Sequence, residues 1–221
     1  TELQAYYVTQ VEKEMERYLA THAVPVDAWW QEKTRLSLYA PAPRFEPMAA
    51  NREFGNLRLV TYALDTRPLE AGWGIVPMQF QWRVAQPTRD DLRLTIRLVD
   101  ARGYRWAAHD VEPTFGLRPA PTWRANETID DRHGLLVPAG TPPGRYALRL
   151  GVYAARDGRE LGSEVSLGEI EVRAPRAPPP VEALRDVMGI QREANWSGAR
   201  LLGFTLREGT WRAGDALHLE L

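Results

Sequence analysis

The 221-residue chain is 44% apolar and 26% charged, with a formal net charge of −1 and no cysteine. That is enough apolar material for a core. It excludes disulfides, thiolate metal sites, cysteine nucleophiles and the basic footprint of a nucleic-acid or anionic-membrane binder. No apolar run reaches the roughly 18 residues of a spanning helix. The chain opens on Thr1, without initiator Met or signal peptide, and reads as a mature or excised piece.

The N-terminal stretch carries the one good helical signal. Leu3, Tyr7, Val11, Met15 and Leu19 recur every four residues, with charges on the other face, which predicts a helix over 2–20. "TRLSLYAP" (34–41) reads as a short strand closed by prolines. From Phe54 to Val172 the period becomes two. "LRLVTYAL", "IVPMQFQWRV", "DLRLTIRLVD", "RYALRLGVYAA" and "LGEIEVRA" alternate apolar and polar residues between Gly/Pro turns. Short alternating strands of this kind predict a mainly β fold, an antiparallel two-sheet sandwich of immunoglobulin or jelly-roll type with an N-terminal helix. Leu94, Ile96, Leu148, Leu150 and Trp82 are its expected core. "PAGTPPG" (138–144) is expected to turn the chain at a sheet edge, feeding an inner strand.

"APRAPPP" (174–180) reads as a stiff linker. Beyond it, "ARLLGFTLREGTWRAG" (199–214) repeats "LRLVTYALDTRPLEAG" (57–72) without gaps. Arg200 answers to Arg58, Leu206 to Leu64 and Gly214 to Gly72 at one constant offset, as the start of a second copy would. The expected organisation is a helix and strand over 1–53, the sandwich over 54–174, a linker over 175–195 and a truncated second sandwich over 196–221. On this reading the sequence is an internal slice of a longer protein.

At these residues the chain resembles a β-sandwich module of bacterial membrane glycosyltransferase-like proteins, themselves similar to protein mannosyltransferases. The matching stretches are "FGNLRLVTYAL", Trp82, "LVDARGYRWAAHD", "PTWRANE", "LLVPAGTPPGRYALRLGVYAARDGREL" and "LGEIEV". Trp73 stands where the family has Asp, and Asn126, near Trp123, stands where it has Gly. The resemblance implies an extracytoplasmic location, tethering through a membrane domain upstream in the same chain, and copies in tandem. It also implies glycan or acceptor polypeptide as partner, and no catalytic residue here. The catalytic carboxylate of such transferases lies near their membrane-spanning start, and nothing in this chain matches it.

The residues themselves show no catalytic motif. The four histidines, His22, His109, His133 and His218, lack ligand spacing, so no metal site is expected. No serine sits in G-x-S-x-G, no glycine pattern suits a nucleotide, and no cofactor is expected. Asp90–Asp91 and Asp130–Asp131 are adjacent, and their side chains diverge on a strand. The aromatics offer more. Sugars bind flat aromatic faces with polar neighbours. Trp123 with Arg124, and Trp106 with Asp110 beside Tyr104, are therefore the candidate glycan-binding residues. The competing reading makes these rings plugs at the ends of the sandwich. Three functions stand at this point: a non-catalytic glycan- or acceptor-binding accessory, a structural spacer in an array of sandwiches, and a glycoside hydrolase fragment.

Overall fold

The computed structural model describes residues 2–6, 10–32, 34–177, 180–186, 188–206 and 219–220. In chain order its elements are β1 (Glu2–Tyr6), α1 (Gln10–His22), β2 (Ala23–Gln31), β3 (Thr34–Pro41), β4 (Met48–Phe54), β5 (Leu57–Leu64), β6 (Leu69–Glu70), β7 (Ile75–Val84), β8 (Leu92–Val99) and β9 (Arg105–Val111). Two tight turns, Pro113–Gly116 and Ala120–Thr122, precede β10 (Thr128–Leu136), β11 (Gly144–Ala154) and β12 (Val165–Arg173). Then come α2 (Val181–Asp186), β13 (Ile190–Trp196), β14 (Ala199–Leu206) and β15 (Leu219–Glu220).

The alternating segments build two facing sheets, in strand order β10-β7-β5-β4 and β6-β12-β11-β8-β9. All pairings are antiparallel except that of the short β6 with β12. The fold is the expected sandwich. Trp82, Leu94, Ile96, Leu148 and Leu150 are all fully buried. Trp82 stands edge-on to Phe54 and Phe80, at 5.9 and 5.8 Å. The "PAGTPPG" segment carries the chain from β10 in one sheet to β11 in the other. Its anchor is Tyr146, whose hydroxyl donates to the Pro142 carbonyl at 2.5 Å, a tyrosine-corner arrangement. β11 is an inner strand between β8 and β12. Truncating Leu148 to Ala removes a fully buried side chain and should cost about 2–5 kcal/mol in urea unfolding.

The N-terminal stretch departs from the expected helix over 2–20. Glu2–Tyr6 is a strand paired with β3, and the helix begins at Gln10. Of the predicted apolar stripe, Met15 is 47% exposed, so period alone did not bring it into a core. β2 carries Pro25 and no clean alternation, yet it pairs along β3. Its Val24 and Val26 are buried against the outer side of β10. Sheet-forming sequence also begins before residue 54. β4 pairs with β5 through a bulge between Ala49 and Arg52, where Asn51 takes a left-handed φ of 49°. Asn126 likewise sits at φ 63°, a conformation that Asn tolerates where other residues strain.

The stretch 175–195 holds α2 and most of β13. The hairpin β13–β14 pairs Ile190↔Phe204, Gln191↔Gly203, Ala194↔Leu201, Asn195↔Arg200 and Trp196↔Ala199. The hairpin β4–β5 pairs Met48↔Tyr62, Ala49↔Thr61, Arg52↔Leu59, Glu53↔Arg58 and Phe54↔Leu57. Each pair of the first is the matching pair of the second, moved by the offset of the sequence repeat, and the bulge falls at the same place. The rest of the sequence match, residues 207–214, lies outside the described residues.

Candidate functional site

Trp123 does not offer a face to solvent. It follows the tight turn Ala120–Thr122, is 2% exposed, and its Nε1 donates to the Arg118 carbonyl at 3.0 Å. The sequence expectation of a platform at Trp123–Arg124 fails because the turn folds the indole into the core. The backbone N–H of Arg124 bonds to Glu127. Hydrogen bonding from that amide, together with Arg118, holds the Glu127 carboxyl below its ordinary range.

Trp106 and Asp110 are not brought together either. Trp106 is half-buried at one end of the sandwich, edge-on to Tyr104 at 5.0 Å and to Tyr146 at 6.4 Å. Its Nε1 donates to Asp100 at 3.1 Å. Burial works against the Asp100 charge, but hydrogen bonds from Trp106 and from the Tyr104 and Arg102 amides outweigh it and lower the pKa. These rings form the end plug that the competing reading described.

Asp110 instead lies on the outer face of the five-stranded sheet, opposite Thr95. There it borders a groove of roughly 330 Å³, lined by Thr95, Arg97, Asp110, Gly151, Tyr153 and Glu164 among others. The strands dictate this. β8 and β11 send Leu94, Ile96, Leu148, Leu150 and Val152 inward, so the intervening positions must point out. Gly151 opposite Thr95 makes the floor, and a Cβ there would lie 2.8 Å from Thr95 Cγ2. Tyr153 opposite Arg93 supplies an aromatic wall. Burial, then the nearby Asp110 charge, raise the Tyr153 pKa, so its hydroxyl remains a donor near neutral pH. Arg97 and Arg149 share Glu164 at 3.4 and 3.5 Å. The Asp110 carboxylate has no hydrogen bond or ion pair among the described residues. Sequence reasoning overlooked Tyr153. The signal was present, as a tyrosine and a glycine on the polar parity of a central strand.

A second polar group is sealed. Asp131 and His133 point inward from β10 and are 1% and 0% exposed. Asp131 accepts from Trp82 Nε1 at 3.1 Å and from the Thr114 amide at 2.7 Å. His133 Nε2 lies 2.7 Å from its Oδ1, but at a poor hydrogen-bond angle, and Nδ1 has no partner. The pair resembles part of a catalytic relay, yet no substrate reaches it. Nearby, burial and then the proximity of His133 lower the pKa of His109. Unfolded histidine titrates near 6.5. Between that value and the lower folded one, the unfolded chain binds more protons, so stability is lost as the pH drops through that window. Urea melts from pH 7.5 downward should show full stability above about 6.5 and a decline below it. His109→Asn should flatten that decline.

No family model matches the chain, and no curated protein matches it significantly. Among solved structures, the C-terminal domain of Wzt superposes with a TM-score of 0.40 at 12% identity, over 61% of this chain and 81% of that one. The Pseudomonas fluorescens alkylpurine DNA glycosylase AlkC, bound to DNA containing an abasic site analog, superposes with a TM-score of 0.36 at 17% identity. That match covers 54% of this chain and 31% of the glycosylase.

Proposed function

We propose that this chain is a non-catalytic accessory β-sandwich that binds glycan in the groove on its five-stranded sheet. On this reading it serves an extracytoplasmic, membrane-tethered glycosyltransferase-like protein by holding glycan or acceptor polypeptide close to the membrane. The observation that carries the reading is the groove itself. It has an aromatic wall at Tyr153, a floor kept open by Gly151, and an unpaired carboxylate at Asp110. Its volume falls within the roughly 300–1,000 Å³ of small-ligand sites. An apolar ring face and polar rim groups are what a pyranose, with C–H faces and a hydroxyl edge, requires. Binding should be roughly millimolar, because a shallow site buries little area and association entropy still opposes it.

The test is a titration of the full chain with methyl α-mannoside, methyl β-glucoside, methyl β-galactoside and N-acetylglucosamine, followed by amide NMR. At least one is expected to shift the amides of Gly151, Tyr153 and Asp110. Tyr153→Ala should weaken that binding about tenfold, and Gly151→Val, which fills the floor, should abolish it. No shift at these amides with any of the four at millimolar sugar refutes the glycan reading.

A second reading, a spacer in an array of sandwiches, is favoured by the repeated hairpin. Identical pairing and an identical bulge in β4–β5 and β13–β14 are what a second copy of one fold would give. A chain carrying only the spacer role would be silent in every titration above.

A further inference from the structure

We infer that the ligand is a neutral oligosaccharide rather than a single sugar, and that it runs from the groove across Asp110 into a cleft between the five-stranded sheet and the N-terminal sheet. This rests on the glycan reading and extends it.

The two depressions meet. The cleft, of roughly 440 Å³, is bordered by Asp27, Arg35, Arg93, His109, Asp110 and Phe115 among others. Asp110 borders the groove as well. The register gives the path. Gly151, Thr95 and Asp110 lie side by side across β11, β8 and β9, and Tyr153 with Arg93 forms the adjoining row. β9 is the edge strand, so a chain laid along these rows leaves the sheet at Asp110 and enters the cleft. Together the volumes exceed what one pyranose fills, and an open-ended path suits a linear polymer.

The cleft is built to hold its shape. Its inner wall is Phe115, with the Arg35 guanidinium 5.4 Å from the ring centroid. Glu16 fixes Arg35 at 3.2 Å. Phe115 and the preceding Thr114 both take left-handed backbone, at φ 53° and 55°. Such a conformation is costly for a β-branched or aromatic residue, and persists only where surroundings enforce it. The buried Asp131 enforces it through the Thr114 amide. The Arg35 guanidinium, backed by the buried Phe115 ring and flanked by carboxylates, offers a planar set of hydrogen-bond donors for sugar hydroxyls.

Charge selects the class of saccharide. The arginines along the path are engaged: Arg35 with Glu16, Arg93 with Glu112, and Arg97 with Glu164. Asp110 and Asp27 form no ion pair among the described residues, and His109, which lies near both, is held toward its neutral form by burial. Unneutralised carboxylates accept hydrogen bonds from vicinal hydroxyls and repel uronates or phosphorylated sugars.

The experiment titrates the full chain by amide NMR with gluco-oligosaccharides and manno-oligosaccharides of one to four residues. A galacturonate tetramer is the acidic counterpart. Affinity is expected to rise about tenfold from one residue to three. Shifts should spread from Gly151 and Tyr153 to Phe115 and Gly116, and the acidic tetramer should bind more weakly than the neutral ones. Asp27→Ala, at an exposed position, and Arg35→Ala should remove the gain with chain length and leave monosaccharide affinity unchanged. Affinity independent of length, with shifts confined to the groove, overturns the inference while glycan binding stands. Preference for the galacturonate tetramer overturns the assignment to neutral saccharide. Silence of the groove toward every sugar removes both.

Discussion

Asp131→Ala should destabilise the protein by about 2–5 kcal/mol, because two donors lose their acceptor and each buried donor left unsatisfied costs about 1–3 kcal/mol. The carboxylate accepts from Trp82 Nε1 and from the Thr114 amide, and stands 2.7 Å from His133 Nε2. Its removal leaves Trp82 Nε1 and the Thr114 amide without their acceptor, and an unsatisfied buried donor forfeits its hydration for nothing. The turn at Thr114–Phe115 also loses the bond that enforces its left-handed backbone. Asp131→Asn keeps the shape and one acceptor, so it should lose less. Urea unfolding followed by tryptophan fluorescence measures both variants. A loss under about 1 kcal/mol for the alanine variant would mean that the network is incidental to the fold. The same variant should loosen Phe115 and so disturb the cleft before the groove.

That network was partly legible. Ile129, Asp131, His133 and Leu135 share one parity of β10, and the flanking Ile and Leu mark that parity as inward. Adjacent aspartates were expected to diverge, and they do: Asp130 is exposed and bonded to Gln81, while Asp131 is buried. What the pattern could not supply was the partners, because Trp82 and Thr114 arrive from other strands and turns. The same limit explains the aromatics. Period two placed Trp82 in the core, since its neighbours Phe80 and Val84 share its face. Trp123 lies outside any strand, where no period exists, and only the tight turn before it decides its burial. Tyr153 was readable as outward from the alternation of β11. Its value as a wall depends on Arg93, Gly151 and Asp110 meeting it across three strands.

The strands that escaped the sequence reading share a cause. β4 is broken by a bulge at Asn51 and β2 by Pro25, so neither alternates cleanly. Their pairing comes from neighbours rather than from their own pattern. The N-terminal helix was overextended for the opposite reason. A four-residue period persists through Leu3 and Tyr7, yet β3 offers Glu2–Tyr6 a ladder of backbone bonds. Tertiary pairing there overrides local propensity. The likeness of 57–72 to 199–214 is visible in the sequence alone. The hairpins β4–β5 and β13–β14 pair in the same register.

Gly134→Val should separate the N-terminal sheet from the sandwich. Gly134 lies on the outer side of β10 with ordinary backbone, so conformational freedom is not what it provides. A Cβ there would stand 2.9 Å from both Ile75 Cγ2 and Val26 Cγ2, and 3.2 Å from Val24 Cγ1. These are stiff β-branched side chains on strands, with no flexible end to swing away. Overpacking of this kind costs about 1–3 kcal/mol, occasionally more. Lifting β2 relieves the contacts with Val24 and Val26, while the contact with Ile75, at the start of β7, stays within the sandwich and is taken up at that strand end. The expected result is faster amide exchange and easier proteolysis in β2 and β3, with β8 and β11 still protected. Equal protection throughout would show that β2 is not held by this contact, and global unfolding would show that the sandwich requires it. Undocking also withdraws Asp27 and Arg35 from the cleft while leaving Gly151, Tyr153 and Asp110 in place. The variant should therefore still bind a single sugar but lose any gain from a longer chain.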